Sequence, residues 1–464
     1  MILDDIRQAG RVLILGYGRE GKSVEQFLKR RLPELKIEMS DQSQGKGYLN
    51  NLSDYKIVIK SPGISPHIPE VAAAQATGVQ FTSSTQLFFE ACPGKIIGIT
   101  GTKGKSTTSS LINHMLDVAQ LPHVLLGNIG LPALDQLDHI STNTNVVFEL
   151  SSHQLMDLTA SPHIAVILGM YPEHLDYYAD LYEYINAKLN ITRFQTKTDT
   201  LVYIEKHPEH VQMIKQASPA GTQISLSPED VKAGPWADLT PEENPLKGAF
   251  NLENEAAAWT VAKHLGIADA VLLKAIKSFK PLAHRLELVG GKAYDGVYFY
   301  DDALATLPEA TIAAIQALGS QVETILLGGA ERKQDFAELG HVVLTSQIKT
   351  TILFPVTGER IWQSIQAANT THRNIQHFNV DNMNEAVRLS YEHTPKGKAV
   401  LMSSASPSFG LFKDYVDKAQ RFHAAVHKFA QLRNLPAASS ASAKPATRES
   451  SASGKSGTST VPST

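Results

Sequence analysis

The sequence predicts an α/β protein of three domains, the first and last Rossmann-like, each a mostly parallel sheet flanked by helices, with a disordered C-terminal tail. Three observations carry this. Short apolar runs alternate with amphipathic helical stretches along most of the chain, the pattern of stacked βαβ units. Its 464 residues, at about 150 per domain, divide into three. Glycine-rich turns directly follow two of the apolar runs, where open α/β sheets bind ligands.

In chain order, RVLILG (11–16), KIEMSD (36–41) and KIVIKS (56–61) read as strands of the first domain. KIIGIT (95–100), NVVFELS (145–151) and IAVILG (164–169) belong to the second. VYFYDD (297–302), ETILLGG (323–329), TTILFP (350–355) and KAVLMSS (398–404) build the third. Prolines near ACPGK (91–95) and KPLAHR (280–285) mark the boundaries, giving domains over 1–92, 93–281 and 282–435. Residues 436–464 are rich in Ser, Ala and Thr and hold no aromatic residue, so they cannot bury enough surface to fold alone.

Composition excludes several classes. Net charge is -3 without a long Lys or Arg run, so no nucleic-acid partner is expected. The single cysteine, Cys92, rules out an internal disulfide framework and fits a reducing compartment. The opening MILDDIRQAG places two acids where a secretory leader needs positive charge. No stretch approaches the roughly 18 apolar residues of a membrane helix. A cytoplasmic protein without a membrane partner is expected.

LGYGREG (15–21) carries G-x-G-x-x-G at Gly16, Gly18 and Gly21 directly after a strand, and Asp41 ends the next strand. Such glycines admit a diphosphate to backbone N–H groups at a helix N-terminus, and the acid can grip a ribose hydroxyl. By itself this favours a dinucleotide dehydrogenase, but a UDP-sugar presents the same diphosphate. KSPGIS (60–65) adds a second tight turn at a strand end.

KIIGITGTKGKSTT (95–108) sets a second glycine cluster between strand and helix. The ordinary phosphate loop, G-x-x-x-x-G-K-[ST], would place its first glycine at Ile99. Even so, Lys105 supplies a point charge, Ser106 can reach Mg²⁺, and glycines let N–H groups face an anion. GITGTKGKSTT closely resembles the ATP loop of the Mur ligase family, which uses G-T-x-G-K-[ST]. The resemblance continues in order through GNIG (127–130), FELSSHQL (148–155), ILGMYPEHLDYY (167–178), INAKLNI (185–191), GAFNLENEAAAW (248–259), HRLE (284–287), YFYDDALATLPEAT (298–311), LLGGAERKQDF (326–336) and LMSSASPSFGLFKDYV (401–416). It points to the glutamate-adding branch and extends to about residue 432.

The resemblance implies a UDP-binding first domain, a P-loop ATPase-type central domain and an amino-acid-binding third domain. The implied activity is ATP-dependent amide ligation of D-glutamate to UDP-N-acetylmuramoyl-L-alanine through an acyl phosphate, in peptidoglycan precursor synthesis. ATP and Mg²⁺ are the implied cofactors, the two substrates the partners, and a monomer is expected. By resemblance, Gly101, Thr102, Lys103, Gly104, Lys105, Ser106, Thr107, Asn251, Asn254, Arg285 and Asp302 bind ATP. Gly16, Tyr17, Gly18, Arg19, Asp41, Gln42, Ser61, Pro62, Gly63 and Asn128 bind the UDP substrate. Ser106, Glu149, His174 and Lys188 hold metal, Lys188 as the carbamate that its family counterpart forms with CO₂. Lys105, Glu149, His174, Lys188 and Arg285 form the catalytic set, and Thr306, Arg332, Ser408 and Tyr415 the amino-acid site.

Several positions depart from the family pattern. Leu304 stands where N-D-S-K-A-T carries a lysine, and GGAERK leaves both Arg332 and Lys333 as the cation. GMYPEH loses the asparagine and threonine of N-x-T-x-D-H, and Gly410 stands where an acid is common. L-glutamate or another acidic amino acid is therefore an alternative substrate. More distant readings are folylpolyglutamate synthase, an NAD-dependent dehydrogenase and a degenerate ligand-binding homologue.

Overall fold

A computed structural model describes residues 2–127, 132–174, 177–217, 221–240, 243–246, 248–370 and 372–434. Three sheets follow one another along the chain. The first holds β1 (Arg11–Leu15), β2 (Lys36–Ser40), β3 (Ile57–Lys60) and β4 (Gln80–Thr82) in the order β2-β1-β3-β4, all parallel. The second holds β5 (Lys95–Thr100), β6 (His123–Gly127), β7 (Asn145–Glu149), β8 (Ile164–Ile167), β9 (Thr200–Ile204) and β10 (Thr222–Leu226), ordered β10-β9-β8-β5-β7-β6 and again parallel. The third holds β11 (Glu287–Leu288), β12 (Tyr298–Asp301), β13 (Val322–Leu327), β14 (Thr350–Leu353), β15 (Gln376–Asn379) and β16 (Ala399–Met402), ordered β11-β12-β16-β13-β14-β15. Among the described strands only β11 runs antiparallel.

The central strands are continuous apolar runs because helices cover both faces; β3, β8, β13, β14 and β16 are buried at every residue. One apolar cluster passes from the first sheet into the second. It joins Ile14 and Phe27 to Phe148, Leu155 and Tyr184, with Phe88 edge-on to Phe148 at 5.2 Å. The third sheet has clusters of its own on its two faces. Among the described residues no helix is long and apolar enough to cross a membrane. The expected tail, 436–464, lies outside the described residues.

Candidate active site

Two clefts meet where β5 passes into the helix Lys105–Val118: Thr102, Lys103 and Gly104 line one of them and Lys105 the other. The first, about 610 Å³, opens between the first and second sheets. Gly18, Arg19, Ser61, Pro62 and Gly63 line it from the first sheet's strand ends; Lys105, His174 and Lys188 line it from the second. The second cleft, about 450 Å³, lies between the second and third sheets. Thr102, Lys103, Gly104, Thr107 and Asn254 face Arg285 and Asp302 across it.

The loop is built by close approach. Gly104 adopts φ +87°, and a Cβ there would collide with Asn254 Oδ1. Its bareness therefore seats the helix Ala249–His264 against the loop. Asn254 accepts from Thr108 Oγ1 at 3.2 Å and donates to Asn251 Oδ1 at 2.8 Å, so the two asparagines form one buried pair. Lys105 Nζ donates to the carbonyls of Gly101 (3.1 Å) and Thr102 (2.9 Å). Burial pushes its pKa down, and the Glu149 and Glu173 charges oppose that. Ser106 begins this helix one residue on, and Glu149, fully buried, ends β7.

Lys188 comes from the buried face of the helix Leu181–Arg193. Its Nζ donates to Gly101 O at 2.8 Å and lies 4.7 Å from the Tyr184 ring centroid. Burial, with help from the nearby Lys105 charge, pushes its pKa well below the usual lysine range. His174 holds a left-handed backbone, φ +58°. Its ring meets His153 edge-on at 4.8 Å, and Nε2 lies 3.8 Å from Glu173. Glu173 in turn pairs with Lys103 at 3.3 Å. Glu173 and His153 line the first cleft, and Tyr171, Lys206, Phe250 and Glu253 the second; the motif reading singled out none of them. Glu173 had one available signal, its position beside His174.

In the first domain Gly16, at φ +92°, presses its bare α-carbon against the Ser61 side chain, and Ser61 Oγ donates to Gly16 O at 3.2 Å. This brings the two glycine turns together. Asp41 accepts from the N–H groups of Tyr17 (2.7 Å) and Ser43 (2.9 Å). Those bonds hold its carboxyl down to about 2. Asp41 thus braces the Tyr17 turn and caps the short helix that starts at Gln42. Asn128 lies outside the described residues.

In the third domain Thr306, Arg332 and Ser408 sit on loops following β12, β13 and β16, which are adjacent in the sheet. Tyr415 opens the helix Tyr415–Asn434. Ser408 is buried, and its Oγ has no partner among the described residues. Gln334 Nε2 ties the Arg332 loop to Thr306 O at 2.8 Å. Lys333 is left-handed, φ +56°, and both it and Arg332 are exposed. Asp302 accepts from Ser403 Oγ at 2.8 Å, and burial pushes its pKa up to about 7. Arg285 Nε is buried without a partner among the described residues.

Comparison with known proteins agrees with this architecture. The profile of the Mur ligase middle domain matches residues 99–262, and that of the Mur ligase glutamate ligase domain matches 284–406. The UDP-N-acetylmuramoylalanine--D-glutamate ligase of Acetivibrio thermocellus is 32% identical, with 86% of this chain and 89% of the relative covered. The UDP-N-acetylmuramoyl-L-alanine--L-glutamate ligase of Micromonospora sp. is also 32% identical, covering 92% and 98%. The MurF ligase of Thermotoga maritima, solved with ADP, shares the fold at TM-score 0.58 and 16% identity, covering 91% of this chain and 95% of that one. With both domain profiles matched in order and full-length relatives at this identity, the chain belongs to the Mur ligase family.

Proposed function

We propose that the chain is an ATP-dependent ligase joining glutamate to UDP-N-acetylmuramoyl-L-alanine in peptidoglycan precursor synthesis. The observation that carries this is the meeting of the two clefts. Thr102, Lys103 and Gly104 share one cleft with Arg285 and Asp302, and Lys105, next in the chain, shares the other with Lys188, His174 and the first-domain turns. A nucleotide in the second cleft and a carboxylate in the first would meet across Lys105. The γ-phosphoryl group passes to the carboxylate oxygen, giving an acyl phosphate and ADP. The amine of glutamate then attacks the acyl carbon, phosphate departs with the former carboxylate oxygen, and the nitrogen loses a proton.

Lys105 and Arg285 stabilise charge on the transferring group, the dominant requirement of phosphoryl transfer. Asp302 binds the ribose, and Asn251 with Asn254 lies beside the base. Gly16–Arg19, Ser61–Gly63, Asp41 and Gln42 hold the UDP moiety. Thr306, Arg332, Ser408 and Tyr415 bind the incoming amino acid, with the arginine on a side-chain carboxylate. Ser106 and Glu149 offer two oxygens of the kind Mg²⁺ takes alongside phosphate oxygens, with the His174 imidazole as a weaker third donor. Bound there, Mg²⁺ would neutralise phosphate charge. Lys188 fits that set only as an anion: its neutral amine would add to CO₂ and release a proton, giving a carbamate.

D-glutamate is the primary reading. L-glutamate is the second, favoured by Leu304 at the position where the family carries lysine. A cytoplasmic monomer, free of nucleic-acid and membrane partners, completes the proposal. Phosphate release with UDP-N-acetylmuramoyl-L-alanine, ATP, Mg²⁺ and a panel of amino acids is expected to require D- or L-glutamate. No turnover with any acidic amino acid rejects the assignment.

A further inference from the structure

Behind the nucleotide cleft, four side chains from three separate segments converge on one point. His284 comes from the segment joining the second and third sheets, Glu287 from the start of β11 just after it, Asp301 from the end of β12, and His423 from the final helix. His284 Nδ1 and His423 Nε2 meet the same oxygen, Asp301 Oδ2, at 2.7 and 2.9 Å. The other Asp301 oxygen accepts the Ala303 N–H at 2.9 Å. Glu287 Oε2 lies 3.8 Å from His284 Nδ1 and also accepts the His284 N–H at 2.8 Å. One ligand atom from each of the four falls within 4.8 Å of the others. Asp301 is fully buried, while His284 and His423 are 19% and 24% exposed, so the point is enclosed yet reachable.

We propose that His284, Glu287, Asp301 and His423 form a site for a borderline divalent metal ion, Zn²⁺ by chemistry, distinct from the Mg²⁺ set around Glu149. Two imidazole nitrogens and two carboxylate oxygens suit such an ion and suit Mg²⁺ poorly, since Mg²⁺ prefers oxygen alone. Tetrahedral Zn²⁺ with bonds of about 2.0–2.2 Å places its donors roughly 3.3 Å apart. The two nitrogen–oxygen spans are slightly shorter than that and must open by a few tenths of an ångström. Rotation of Glu287, the most exposed of the four at 34%, closes its 3.8 Å span to His284. Binding needs both nitrogens as lone-pair donors, so the proton each now directs at Asp301 passes to the other nitrogen of the same ring or to water. A single imidazole would suffice to hold Asp301 by hydrogen bonding; two on one oxygen, with a second carboxylate beside them, reach the coordination number of a metal. Lys418, buried nearby and bonded to Ser404 Oγ at 2.6 Å, opposes a cation, which makes the second carboxylate necessary. The ion would tie the segment carrying Arg285, and the strand end carrying Asp302, to the helix that Tyr415 opens.

The test is a Co²⁺ titration of the full-length, chelator-stripped protein in excess Mg²⁺, followed by visible d–d absorption. One equivalent of Co²⁺ is expected to bind, and the bands are expected to survive His174→Ala. His423→Gln should weaken binding by at least about tenfold, the lower end of what losing even an outer-shell partner costs. Glu287→Gln, at the most exposed ligand, provides a second variant and should weaken binding likewise. Absence of bands in the unaltered protein overturns the proposal. So does a titration unchanged in both variants, or loss of the bands in His174→Ala alone.

Discussion

Lys188 sits where a lysine is least comfortable, fully buried and beside the Lys105 charge. Burial disfavours the ammonium, so its pKa falls and the neutral amine that could add CO₂ becomes accessible. A carbamate there would reverse the local sign and offset Lys105. Lys188→Ala is expected to lower turnover by at least about 100-fold, comparable to removing a preorganised electrostatic group, with partial rescue by acetate. Phosphate release measures both, and full activity in the alanine variant removes this residue from the mechanism. A lone helical lysine ordinarily reads as a solvated surface group; the contrary local signal is the buried run around it, with Ala187, Leu189 and Ile191 all inside. The Asn251–Asn254 spacing was legible because residues three apart on a helix share a face, and the pair does bond. His153 and Glu173 belong to no spacing pattern, so only the folded chain brings them to the cleft. Asp41 was legible as an acid at a strand end, but its bonds to Tyr17 and Ser43 depend on the turn that follows β1.

At the scale of elements, the helix Ala249–His264 carries the buried pair Asn251 and Asn254 and, next to them, a fully buried acid. Glu255 accepts from Asn244 Nδ2 at 2.8 Å on one oxygen and has no partner among the described residues on the other. Burial pushes its pKa up to about 7, so the folded protein favours the neutral acid. A raised folded pKa gives full stability below the unfolded value near 4.5, declining as pH rises through about 7. Glu255→Gln, neutral and nearly isosteric, should escape this loss. Its advantage should be small at pH 4.5 and grow to about 3 kcal/mol by pH 8, following 1.36 kcal/mol per pKa unit. Urea unfolding at the two pH values measures it; an advantage independent of pH would show that the acid does not titrate in the folded state. Sequence pattern fixed the central strands because they are unbroken apolar runs. The edge strands β10 (TQISL) and β15 (QHFN) are largely exposed and polar, so alternation is weak there. β9 (TLVYI) has strand composition but lacks the glycine turn that marks β1, β5 and β13.

For the whole molecule, three parallel-sheet units were legible from alternation, but the seating of the first on the second was not, because it rests on an apolar cluster and on single polar contacts between residues distant in sequence. Ser23 donates to Asp135 at 2.5 Å, Tyr177 OH donates to Pro62 O at 2.9 Å, and Ser65 donates to Tyr177 O at 3.1 Å. The most enclosed contact is Lys60, 1% exposed at the end of β3, paired with Asp157 at 3.0 Å and bonded to Ile64 O at 2.8 Å. It fixes the KSPGIS turn, and hence Ser61–Gly63, relative to the Lys105 side of the first cleft. Removing one partner of a buried pair strands the other charge, which costs more than the intact pair contributes. Asp157 is 22% exposed and keeps some water, so Lys60→Met should cost about 2 kcal/mol, below the fully buried range. Lys60→Met/Asp157→Leu should recover much of that, because no charge is left unpaired. In turnover, both variants should raise the KM for the UDP substrate several-fold more than the KM for ATP, since only the first cleft loses its brace. Equal rises in both KM values, or a double variant no more stable than the single, would mean that Lys60 acts through general packing and that the first sheet is held to the second by their shared apolar cluster alone.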